Sequence, residues 1–263
     1  MDENVDTTRP VHPHRHWKYV WLPLLGSAVW FGMLWAMLIV WLATGRPKYV
    51  SQEGSIAYIS DIGAGYLKPL FIAGCSITAA CFFFSLVLER FFRHTGRLVG
   101  HMRRRETVFG ILAMVGSFIG GLGLILLSIF DTKRFTSAHR AFLLVFIIGV
   151  ALSAIFTIIE YHWLSRDFRE ARKLRYAYVA KAVIALTLIC LAIAFGITLY
   201  ESTDVGVYID EHHTAVFEWV IAFGFTFYLL TFIYDLRLSK GVADGELTRE
   251  KLRENPSLAH GHV

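Results

Sequence analysis

AFLLVFIIGVALSAIFTIIEYHW, residues 141–163, is the stretch that decides what kind of protein this is. Its 23 residues hold a single fully charged side chain, Glu160, close to the end. At ~1.5 Å per residue, a helix of this length crosses the ~30 Å hydrocarbon core of a bilayer. Five more runs of the same character follow the chain at 20–43, 69–90, 107–130, 177–199 and 214–236, so over half of the 263 residues lie in six spans. The composition agrees, with 55% hydrophobic residues, 18% charged residues and a mean hydropathy of +0.50. What remains between the runs is too short for a separate soluble catalytic domain. A secreted disulfide scaffold, a basic nucleic-acid-binding domain and a dinucleotide-binding enzyme are excluded on that ground. The expected fold is all-α: a polytopic integral membrane bundle of six transmembrane helices over residues 20–237. A polar tail at 1–19, disordered by composition, precedes it, and a polar tail at 238–263 follows.

Charge position orients the bundle. If both termini are cytoplasmic, the N-tail, the second and fourth loops and the C-tail share one side and hold 19 of the 26 Lys and Arg. The opposite loops hold six, and Lys181 stays inside a span. Such an excess over short loops is the positive-inside pattern, so both termini are expected in the cytoplasm. The net charge of +5 is thereby explained without a nucleic-acid partner. The basic loops RFFRHTGRLVGHMRRRE and LSRDFREARKLRY put Arg97, Arg103, Arg104, Arg105, Arg169, Arg172, Lys173 and Arg175 against an anionic leaflet, where each contributes on the order of 1 kcal/mol. Anionic phospholipids are therefore the expected partners, although topology alone requires loops of this kind.

The first run is about twice as long as a signal-peptide core and has no small-residue cleavage motif after it, so it is read as a span. Cys75, Cys81 and Cys190 all fall inside runs and are read as packing residues, with no disulfide framework. The alternating His12, His14 and His16 and the closing His260 and His262 have neither cysteines nor a scaffold beside them, so no metal and no cofactor is expected. Span 3 contains GSFIGGLG, whose Gly116 and Gly120 make one helix face nearly bare. That face serves close packing inside the monomer, which a six-helix bundle needs anyway, or homodimerisation. Trp30 and Trp35 are the tryptophans furthest from span ends, placed to face lipid or another helix. Lys181, four residues inside its span, is within snorkelling reach of the cytoplasmic face, with Glu160 as a candidate ion-pair partner and Glu89 at similar depth.

On the opposite side, polar residues collect at the hydrocarbon edge: Ser60, Asp61 and Lys68 before span 2, Asp131 and His139 at the second outer loop, and His212, His213 and Glu218 at the start of span 6. Asp61 follows an extended-looking stretch and can cap the helix of span 2. Carboxylates and imidazoles in that position are costly unless paired or used. Three readings stand: a structural network of caps, a headgroup or partner site, and metal-assisted hydrolysis. No HExxH, HxxxH or GxSxG supports the last.

AYISDIGAGYLKPLFIAG, GLILLSIFDTKRFTSAH with the apolar FLLVFIIG, IIEYHWL and EWVIAFGFTFYLLTFIYDL occur in this order. Together they resemble the Frag/DRAM/Sfk family of six-span eukaryotic membrane proteins, and most nearly its fungal Sfk-type members. The resemblance covers residues 20–237. It implies a plasma-membrane protein tied to phosphoinositide 4-kinase signalling and to keeping phospholipids in their proper leaflet, with a lipid kinase complex as partner at the cytoplasmic face. Relatives act in autophagy at lysosomal membranes or remodel GPI-anchor lipids, which makes an endomembrane or vacuolar site the alternative location. The family pattern carries over to Ser60, Asp61, Gly63, Lys68, Pro69, Asp131, His139, Glu160, Glu218 and Trp219, and transfers no catalytic residue. The expected function is a non-enzymatic regulator of phospholipid organisation. The alternative is a lipid-remodelling enzyme with an outer-face Asp/His/Glu site.

Overall fold

The structure, a computed structural model, describes residues 17–52, 54–100, 103–167, 172–204, 211–239, 242 and 245–254. Among them the helices are α1 (Trp17–Ala43), α2 (Ile59–Gly63), α3 (Lys68–His94), α4 (Arg104–Ile129), α5 (Thr136–Asp167), α6 (Arg172–Asp204), α7 (Glu211–Arg237) and α8 (Arg249–Glu254). Six are long and apolar enough to cross a membrane. They outrun the hydropathy boundaries at several ends, because helical hydrogen bonding continues into polar residues once an apolar stretch has nucleated the turns.

The spans form a closed ring. α1 packs on α3 and α7, α3 on α4, α4 on α5, and α6 on α7, with a thinner contact between α5 and α6 completing the circuit. Aromatic rings fill the middle: Phe82 of α3 meets Phe225 at 5.7 Å and Phe232 at 5.8 Å, while Phe146 of α5 reaches Phe225 at 5.9 Å. Trp30 is buried there and donates its indole N–H to the Ala222 carbonyl (2.7 Å). Trp35 is exposed on the outside of the ring. Cys75 and Cys81 are buried and Cys190 is exposed, all as free thiols.

The glycine face of α4 is spent on α5. A Cβ on Gly116 would lie 2.9 Å from the Ser153 nitrogen, and one on Gly120 2.9 Å from the Val150 nitrogen. The two backbones touch, so this face is covered within one chain.

Two regions differ from the expectation. The stretch before α3 reads as extended, yet Ile59–Gly63 is a helical turn, and Asp61 caps that turn rather than α3. The C-tail has the composition of a disordered tail with a short helix expected within 242–256; α8 lies inside that segment, and residues 245–252 return to the bundle. The Gly245 N–H donates to the Thr95 carbonyl (2.9 Å) and the Leu247 N–H to the Gly96 carbonyl (2.8 Å). Val242, Leu247 and Leu252 are buried against Val99, Tyr161 and Leu164. Three spaced apolar residues in a polar segment are enough to hold it. Gly96 (φ 70°) and Gly245 (φ 78°) sit where the strands of chain cross, and a Cβ on Gly96 would come within 3.2 Å of Gly245 Cα. The N-tail 1–16 and its histidines, and His260 and His262, lie outside the described residues.

Candidate functional site

At the end of the ring carrying residues 44–67, α7 grips α2. The N-terminus of a helix leaves N–H groups without intrahelical partners. Glu218 supplies an acceptor for α2: the Ile59 N–H donates to its Oε2 (2.9 Å), and the Ser60 N–H adds a second backbone contact. The next residue, Trp219, donates its indole N–H to the Ala57 carbonyl (3.0 Å). Asp61 completes the turn, accepting the Ser51 hydroxyl (2.5 Å) and the Tyr58 N–H (3.2 Å). Burial pushes the Asp61 carboxyl above its usual range, and those two hydrogen bonds only partly oppose it.

The neighbouring polar group joins α3 to the turn after α4. Lys68 Nζ lies 2.6 Å from Asp131 Oδ2, and the Arg134 N–H donates to Asp131 Oδ1 (2.8 Å). His139 Nδ1 is 2.8 Å from the Leu127 carbonyl and 2.9 Å from the Phe130 carbonyl. Both neighbours are acceptors, so Nδ1 carries a hydrogen and donates to them. His139 also lies within electrostatic range of Asp61. No three His, Cys, Asp or Glu side chains among the described residues converge as a metal-binding group. The side chains of His212 and His213 lie outside the described residues.

Burial raises the cost of ionising Asp131, but the Lys68 ammonium and the Arg134 N–H outweigh it and hold the carboxyl below its usual range. Its folded pKa is depressed, so the stability it contributes is present above an unfolded value of about 3.9 and is lost as pH falls through the folded value. Melting of the purified chain between pH 6 and pH 3 should show that loss. In Lys68→Met the acid-dependent step should shrink; an unchanged pH profile would remove Lys68 from this account.

Beside Glu218 a cavity of about 390 Å³ lies among α5, α6 and α7. Glu218 is the one acidic residue on its wall.

The other end of the ring holds charges that the sequence reading did not bring together. Arg93 donates to Glu89 (2.8 Å) and to the Val99 carbonyl (3.1 Å), and its guanidinium lies 3.5 Å from Glu160. The Tyr161 hydroxyl donates to Glu89 (2.7 Å). Lys181 is fully buried, pairs with Asp235 of α7, and sits 3.9 Å from the centre of the Phe232 ring. The expected pairing of Lys181 with Glu160 is thus corrected: α6 packs on α7, which puts Asp235 at the lysine's depth, while Glu160 faces α3 and Arg93. Asp235 could have been found by matching depths, since it lies two residues inside its span from the end at which Lys181 lies three residues inside its own.

Above this layer the basic loops gather on one indole. The guanidinium carbons of Arg105, Arg166 and Arg103 lie 4.3, 5.9 and 6.0 Å from the Trp163 ring. Arg97 stacks on Phe92 at 5.7 Å. Arg104 is exposed beside them, whereas Arg169 and the side chains of Arg172, Lys173 and Arg175 lie outside the described residues. Arg166 is an addition to the basic residues singled out from sequence, placed by α5 running past the hydrocarbon edge.

A profile for the Frag1/DRAM/Sfk1/Cwh43P N-terminal domain matches residues 18–239. Protein sfk1 of Schizosaccharomyces pombe is 29% identical over 242 residues, covering 89% of this chain and 69% of the relative. Protein SFK1 of Saccharomyces cerevisiae is 29% identical over 189 residues, covering 60% of this chain and 53% of the relative. Human DNA damage-regulated autophagy modulator protein 1 is 29% identical over 135 residues, covering 49% and 56%. The chain thus spans little more than half the length of the latter two relatives. No solved structure matches. With the domain profile over nearly all of the six-helix ring, the chain belongs to the Frag1/DRAM/Sfk1 family of integral multi-pass membrane proteins.

Proposed function

We infer that this protein is a non-catalytic regulator of phospholipid organisation whose basic end engages anionic headgroups at the cytoplasmic leaflet. The observation that carries this reading is the convergence of Arg103, Arg105 and Arg166 on Trp163. The indole face attracts each guanidinium. The three cations still repel one another, and a phosphate-bearing headgroup relieves that repulsion at the edge of the low-dielectric core. The positive-inside bias supports cytoplasmic termini. Likeness to the Sfk1 proteins supports extending the reading to the plasma membrane, to phosphoinositide 4-kinase signalling with a lipid kinase complex as partner, and to phospholipid asymmetry.

The test is lipid enrichment around the chain in mixed phosphatidylcholine bilayers carrying phosphatidylserine or a phosphatidylinositol phosphate. Arg103→Gln, Arg105→Gln and Arg166→Gln together should lower enrichment at least about tenfold, given on the order of 1 kcal/mol per base. They should also flatten its dependence on salt. Unchanged enrichment overturns the reading.

One observation favours a lipid-remodelling enzyme as the second reading: Asp61, His139 and Glu218 gather at one end of the ring, with Glu218 on the cavity wall. Loss of GPI-anchor lipid remodelling in His139→Gln cells, with anionic-lipid enrichment intact, would select it.

A further inference from the structure

We propose that the cavity among α5, α6 and α7 holds one acyl chain of a membrane phospholipid, taken from the leaflet on the side of residues 44–67. The space exists because small residues line it where the neighbouring helix faces carry large ones: Ala151 and Ala154 on α5, Ala185, Ala192 and Gly196 on α6, and Ala222 on α7. Its volume of about 390 Å³ falls in the range of ligand pockets.

Three observations identify the occupant. The wall is almost wholly apolar, so water gains few hydrogen bonds inside, and a hydrocarbon chain gives up no hydrogen bond on entering. Of the lining residues, Leu144 on α5 and Ile193 on α6 are each 58% exposed, and the contact between these two helices is thin, which puts the mouth between them. The cavity therefore opens sideways into the bilayer core rather than to water. Its depth is the third. From Glu218 to Tyr228 along α7 the wall descends roughly 15 Å at ~1.5 Å per residue, about half of the ~30 Å hydrocarbon thickness. A pocket one leaflet deep, floored above the buried Lys181–Asp235 pair, accepts a chain from that leaflet and not from the opposite one. Glu218 and the α2 turn stand at its upper end, level with the lipid's ester region.

This adds a second lipid contact to the proposed function and does not rest on the basic end, so each can fail alone. The test uses the full chain in bilayers of phosphatidylcholine whose acyl chain carries a terminal diazirine, with label mapped by mass spectrometry. Residues at the cavity floor, around Ala154 and Ala185, should be labelled at least fivefold more than lipid-facing Ile119. Ala192→Phe should remove that excess. Gly196→Leu is the second variant, chosen because a Cβ there meets no atom within 4 Å and the fold has room for it. Ile119→Phe should leave the excess unchanged. Equal labelling at the floor and at Ile119, persistence of the excess in both filled variants, or chain-to-chain cross-links through Ile193 would overturn the proposal, the last by assigning the mouth to a second copy.

Discussion

Replacing Lys181 by methionine is expected to destabilise the detergent-solubilised chain by about 3–5 kcal/mol, because Asp235 then stays buried without its ion-pair partner. Transferring two charges out of water costs so much that a buried pair adds little net stability when intact, yet breaking it is expensive. The double variant Lys181→Met/Asp235→Leu should therefore regain most of the loss. Chemical unfolding of the two variants reads the difference directly. A double variant no more stable than Lys181→Met would mean that the lysine acts through the aromatic faces of Tyr161 and Phe232 instead of through Asp235.

The second large effect is steric. A Cβ on Gly149 would sit 2.5 Å from Gly120 Cα and 2.9 Å from the Gly116 carbonyl oxygen, backbone atoms that cannot swing aside. Gly149→Val must part α4 from α5, with an expected cost of about 3 kcal/mol, at the upper end for overpacking. The helix Gly32 provides the contrast, since a Cβ there meets no atom within 4 Å. Gly32→Ala should raise stability by about 0.5–1 kcal/mol through backbone entropy alone. Thermal melting of both variants in one detergent is sufficient. If Gly149→Val melts with the wild type and instead lowers the apparent mass, the glycine face belongs to an interface between copies.

The sequence reading succeeds where a single helix carries the information. An apolar run such as 141–163 has one stable destination, a bilayer, whatever lies beside it, so the six spans follow from hydropathy and length. The bare face at Gly116 and Gly120 is equally local, since a helix without side chains on one side must be approached closely. The short α2 turn was missed because its N–H groups are satisfied by Glu218, 159 positions along the chain. The docking of the tail at 245–252 onto the bundle was not legible because polar composition outweighs three apolar anchors whose partners lie on loop 95–100 and α5.

The charged layer shows the division most clearly. Sequence alone determined how many helices cross the membrane, which loops are basic, and that Lys181, Glu89 and Glu160 lie near one end. Which acid takes which base was decided by the ring order of the helices, through the contact of α6 with α7 and of α3 with α5's Glu160 and Tyr161. The cavity is likewise a tertiary result, because an alanine on α6 leaves space only if the facing helices are small at the same depth. Hydropathy is a property of one segment in its solvent. Ion pairs and cavities belong to the depth and rotation of neighbours, which no single segment records.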